Sequence, residues 1–158
     1  MASYTLETIR EMISKDLSTS EQLLNLLERE TPSIRERNYD AVKDILLNKA
    51  PLLDQLKKHA DLRKEWLLSL YKVADENHWK TFISSFNDPE ILKQWEAIND
   101  NIKRCKDINE TNGVIITRGR KTYTELLRIL KGDTQQGDLY TAKGNRQASA
   151  YSCTYTKA

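Results

Sequence analysis

Cysteine is nearly absent: Cys105 and Cys153 are the only two in 158 residues. Two thiols cannot build a disulfide framework in a chain this long, so reduced cysteines in a cytosolic setting are expected. Glycine is scarce and one-sided, with all five at or after Gly113. Valine numbers 3, against 20 leucines and 12 isoleucines. An all-β fold needs many turns and β-branched strands, and this composition supplies neither. Histidine occurs only at His59 and His78. No His-Cys cluster, phosphate-cradling Gly loop or Gly-x-Ser-x-Gly elbow is present, so no metal, cofactor or catalytic set is expected. His59 reads as a solvated side chain and His78 as packing at a helix end. No apolar run reaches about 18 residues, which excludes a spanning helix. Met1 to Lys15 shows no basic start followed by an apolar run, so no signal peptide is expected.

Charge is abundant but balanced, with 25 basic and 23 acidic residues and a net +2. That balance gives no strong attraction to nucleic acid or an anionic membrane. The short basic cluster Arg118, Arg120, Lys121 is followed one turn later by Glu125, which suits a solvated helix face.

Apolar residues recur at helical spacing. Leu6, Ile9, Ile13, Leu17, Leu24 and Leu27, with Ser20 in the open slot, predict a first helix over about 3–30. Thr31-Pro32 disfavours helix, so a connection is expected from Thr31 to Asn38. Val42, Ile45, Leu46, Leu52, Leu53, Leu56, Ala60, Leu67, Leu70 and Ala74 predict a second helix over about 39–74, kinked at Pro51. Residues 75–87 read as an irregular or single-turn segment.

The clearest start signal is Asp88-Pro89-Glu90: a capping side chain, a proline at the first helical position and an acid at the positive end. Lys131-Gly132 is the matching stop. Between them a seam runs through Ile91, Trp95, Ile98, Ile102, Cys105, Asn109, Asn112, Ile116, Gly119, Tyr123, Leu126 and Leu130. Its average period of about 3.5 is that of a coiled coil. Asn112-Gly113 is also a hairpin signal. The seam keeps its phase across it, so one helix over 89–131 is expected. Tyr123, Leu126, Leu127, Ile129 and Leu130 form an apolar end that outruns the first two helices, a surface for a partner helix. Residues 133–158 are polar and hold one aliphatic side chain larger than alanine, Leu139. Such a segment cannot offset its ordering entropy and reads as a mobile tail. The expected fold is all-α: an elongated antiparallel, coiled-coil-like bundle of three main helices over 1–132, then the tail over 133–158.

The run Cys105-Lys106-Asp107-Ile108-Asn109-Glu110-Thr111-Asn112-Gly113-Val114-Ile115-Ile116, after Trp95, resembles the Asn-x-x-Asn-Gly signature of the flagellar export chaperone family FlgN. Leu126-Leu127-Arg128-Ile129-Leu130-Lys131-Gly132, then Leu139-Tyr140-Thr141-Ala142-Lys143-Gly144, is similar to that family's Leu-rich helix end and Leu-Tyr-x-x-x-Gly motif. Lys49-Ala50-Pro51-Leu52-Leu53 resembles its second-helix Lys-x-x-Leu-Leu. The resemblance implies a cytoplasmic chaperone that performs no chemistry. It would hold the carboxy-terminal helical region of hook-associated proteins and deliver them to the membrane export gate, as a monomer or homodimer when free. Asn112, Ile116, Tyr123, Leu126, Leu127 and Leu130 would then grip cargo, and Leu139 and Tyr140 would dock the gate. The alternatives are a structural helical adaptor and, from another class, a helical nucleic-acid-binding module using Arg118, Arg120 and Lys121.

Overall fold

A computed structural model describes residues 4–131, 139–140 and 146–147. Four helices are present: α1 Leu6–Arg35, α2 Tyr39–Tyr71, α3 Glu76–Ser84 and α4 Pro89–Leu130. A pair of two-residue strands follows, β1 Leu139–Tyr140 and β2 Arg146–Gln147, antiparallel with Tyr140 opposite Arg146. The chain divides into two compact units, Met1–Ile115 and Ile116–Ala158.

Each helix start is capped by a short polar side chain. The Thr5 hydroxyl accepts from the Thr8 N–H at 3.2 Å, Asn38 from Ala41 at 3.1 Å, Asp75 from His78 at 2.8 Å and Asp88 from Glu90 at 3.0 Å. Such caps satisfy backbone donors that the first turn leaves open. The turns between helices use left-handed residues without glycine: Arg37, Lys72 and Asn87 have φ of 56°, 61° and 52°.

The number of helices differs from expectation. The segment after Ala74 contains a nine-residue helix, α3, in place of an irregular stretch. Asp75 caps it, and Trp79, Phe82 and Ile83, at helical spacing, are all buried. Helix α2 ends at Tyr71, three residues early, where Lys72 turns left-handed. Helix α1 runs on through Ser18-Thr19-Ser20 and through Pro32 to Arg35, so no connection begins at Thr31. Proline inside a helix costs about 3 kcal/mol. It removes the N–H that would bond the Glu28 carbonyl, and Glu28 is exposed to water. Contacts from Glu30 and Thr31, given below, hold that turn helical. Helix α2 likewise continues through Pro51. Helix α4 is continuous through Asn112-Gly113, as the seam predicts.

In the first unit two apolar clusters alternate with two polar layers along α1. The first cluster joins Ile9, Met12 and Ile13 of α1 to Trp66 and Leu67 of α2, the three buried α3 residues, and Ile91, Trp95 and Ile98 of α4. The second joins Leu23, Leu24 and Leu27 to Cys105, with Leu52, Leu56 and Ile108 packed against them. Asp16 pairs with residues 59 and 63 and Glu30 with residue 49, so α2 runs back along α1. Ser20 meets Asn101 and Thr31 meets Asn112, so α4 runs in the direction of α1.

The seam of α4 differs from the expected one by one residue at three points. Ile102, Asn109 and Ile116 are exposed, while Asn101, Ile108 and Ile115 are at least half-buried. The stripe of α2 differs too. Leu46, Leu53, Leu70 and Ala60 are exposed, and Lys49, His59 and Arg63 lie inward in their place. Buried carboxylates on α1 draw those side chains in, because a buried carboxylate left without partners is far costlier than an exposed leucine.

Candidate functional site

Two polar layers set the register of the helices. In the first, the Asp16 side chain is fully buried and bonds two side chains of α2, His59 and Arg63. One oxygen bonds His59 Nδ1 and the other Arg63 Nη1, each at 2.5 Å. Gln55 meets the far side of the His59 ring at 2.7 Å. The expectation that His59 is solvated therefore fails, because a buried acid one helix away recruits it. Arg63 also stacks over Trp95 and Trp79, at 5.1 and 5.8 Å from the ring centroids. That contact joins the ionic layer to the aromatic cluster.

The second layer is built on Glu30. One carboxylate oxygen accepts from Lys49 Nζ at 2.7 Å and the other from the Asn112 amide at 2.9 Å. The Asn112 carbonyl oxygen accepts from the Thr31 hydroxyl at 2.7 Å. Asn112 is 2% exposed, and both ends of its amide are engaged. One asparagine, one glutamate and one lysine thus tie α1, α2 and α4 at a single level. A polar seam residue of this kind specifies register. The tie also explains why helix persists across Pro32 and across Asn112-Gly113.

Beyond Ile115 the character of α4 changes. No residue from Ile116 to Lys131 is buried, and only Leu127 and Arg128 are half-buried. Ile116 is 46% exposed, Leu126 53%, Tyr123 64% and Leu130 81%. These side chains, with Leu127, recur at helical spacing and form one apolar stripe. Among the described residues, no atom lies within 4 Å of a Cβ placed on Gly119, so none of them makes a close approach that explains this glycine. Of the six residues expected to grip cargo, the structure presents Ile116, Tyr123, Leu126 and Leu130 at the surface, half-covers Leu127 and encloses Asn112. Leu139 and Tyr140 lie in β1, where Leu139 is opposite Gln147. Apart from β1 and β2, residues 133–158, including Cys153, lie outside the described residues, and so does the expectation of a mobile tail.

The residues missed from sequence are Asp16, Glu30, Lys49 and Arg63. Their signal was spacing: Asp16 lies three residues after Ile13 and four before Ser20, Glu30 three after Leu27, and Lys49, quoted above only as part of a motif, four after Ile45. Cys105 is buried in the second cluster, and burial pushes its thiol up from the ordinary range. Among the described residues no group of three or more His, Cys, Asp or Glu is placed to hold a metal ion, and no helix is long and apolar enough to cross a membrane.

Asn112 and the exposed Leu-rich helix end belong to the motifs noted above, and the family model of the FlgN protein matches residues 1–148. The chain belongs to the FlgN family. A search of curated proteins found no match. Among solved structures, a Pseudomonas aeruginosa chain described as a flagella synthesis protein FlgN is similar, with a TM-score of 0.64 and 23% identity. The likeness covers 81% of this chain and 99% of that one, and it is a likeness of fold. Within the FlgN frame, the second asparagine of the Asn-x-x-Asn-Gly run is the enclosed one and the first, Asn109, is exposed.

Proposed function

We propose that this FlgN-family chain is a flagellar type III export chaperone. It acts in the cytoplasm, holds hook-associated proteins by their carboxy-terminal helical region and delivers them to the export gate. The helical part through residue 132 is the chaperone domain, and 133–158 is the segment that reaches the gate through Leu139 and Tyr140. The observation that carries this reading is the exposed apolar stripe Ile116, Tyr123, Leu126, Leu130 on a helix of a FlgN-family chain. A cargo helix that would otherwise self-associate has a coiled-coil seam to complete, and such a stripe completes it. Each leucine buried there contributes roughly 1.5–3 kcal/mol. Asn112 acts from inside, by holding the helix that presents the stripe.

The test is a pair of titrations, one with a purified hook-associated protein and one with the cytosolic part of the gate. Leu126→Asp with Leu130→Asp abolishes cargo binding while far-ultraviolet circular dichroism stays at the wild-type level. Tyr140→Ala leaves cargo affinity unchanged and weakens binding of the loaded chaperone to the gate. Cargo binding retained by the aspartate variant would sink the chaperone reading.

A further inference from the structure

Charge changes sign where the buried seam ends. Residues 1–115 hold 17 basic and 20 acidic side chains. Residues 116–131 hold Arg118, Arg120, Lys121, Arg128 and Lys131 against the single acid Glu125. That acid is already taken, since Glu125 Oε1 pairs with Arg128 Nη2 at 2.5 Å. Among the described residues, Arg118, Arg120, Lys121 and Lys131 form no ion pair.

The cations are not spread evenly round the helix. Arg120, Leu127 and Lys131 follow one another at spacings of seven and four, so they share a row. That row adjoins the apolar row Ile116, Tyr123, Leu126, Leu130. Arg120 and Lys131 therefore line one edge of the stripe, a flanking position that in paired helices chooses the partner by charge.

We infer that the partner laid on this stripe is an amphipathic helix whose apolar seam is flanked by acidic side chains. The inference rests on the reading of this segment as a partner-binding surface and adds the partner's chemistry. A second copy of the chain is the poorer occupant, because pairing the segment with itself sets several cations against their own kind. Nucleic acid is poorer too. The centre of the surface is Ile, Tyr and Leu, and a phosphate backbone gains nothing from covering them.

The experiment uses the full chain and three fluorescent probes. One is a synthetic amphipathic peptide with a leucine seam at 3–4 spacing and flanking glutamates. The second is the same peptide with flanking lysines, and the third is a DNA duplex. The glutamate peptide binds about tenfold more tightly than the lysine peptide at low salt, and the gap narrows as salt rises. Arg120→Glu with Lys131→Glu reverses the preference, and Arg120→Lys with Lys131→Arg preserves it. Both positions are exposed, so the circular-dichroism signal stays unchanged in every variant. Equal affinity for the two peptides, a preference untouched by the reversal, or tighter binding of the duplex would overturn the inference. So would self-association of the chain that the leucine variant abolishes. A hook-associated protein is titrated alongside. If it does not bind while the glutamate peptide does, the chaperone reading fails and the acidic-helix inference stands. If it binds with no response to charge reversal or salt, the inference fails and the chaperone reading stands.

Discussion

The two ends of α4 obey different rules. Up to Ile115 its inward positions are filled from α1, α2 and α3, and even its polar members are bonded: Asn101 to Ser20 and Asn112 to Glu30 and Thr31. From Ile116 onward the same helix has a stripe of equal regularity with no buried residue. The periodicity of the sequence is alike in both halves. What separates them is whether partner helices close the seam. A regular apolar stripe therefore marks a surface that needs a partner without saying whether that partner belongs to the same chain.

The contrast yields three tests on stability, taken in order of size. Glu30→Ala should destabilise most, by about 3–5 kcal/mol, because it leaves Lys49 as an unpaired buried cation and frees the Asn112 amide. Denaturant titration reads this, and a loss below about 1 kcal/mol would show that water reaches Lys49. Leu126→Asp with Leu130→Asp, on the exposed side, should change stability by no more than about 0.5 kcal/mol in the same titration. A large loss would mean that these leucines are already closed within the chain.

The smallest effect concerns acid. The Asp88 carboxylate is held below its ordinary value of 3.8, first by the hydrogen bond from Arg10 and then by backbone N–H groups of α4. Asp75 is held below 3.8 mainly by the backbone N–H and side chain of His78. A depressed folded value means that the stabilisation is complete above 3.8 and is lost as pH falls through it toward the folded value. Thermal melts on the acid side should show this slope, and Asp88→Asn should flatten it. An unchanged slope would remove Asp88 from the account.

Local chemistry was legible in the sequence wherever it acted alone. The Asp88-Pro89-Glu90 start, the unbroken α4 and the apolar positions of α1 are consequences of capping and of the helical period, and both appear within a few residues. Helix α3 was legible only in part. Its cap and its three large apolar residues were present, but a nine-residue helix depends on packing for its stability.

Other features were settled by tertiary structure alone. Pro32 ends a helix by its own chemistry, yet α1 passes through it because Thr31 and Glu30 reach residues far along the chain. Lys49, His59 and Arg63 are polar by composition, yet they take inward positions in the α2 seam because Asp16 and Glu30 are buried opposite them. Helical period, caps and charge balance depend on neighbours in sequence, so the all-α class and the residues of the exposed stripe follow from residue order alone. The choice between Ile108 and Asn109, or between Lys49 and Leu53, as the inward residue depends on charges 19 to 82 positions away. Only the folded chain brings those charges into contact.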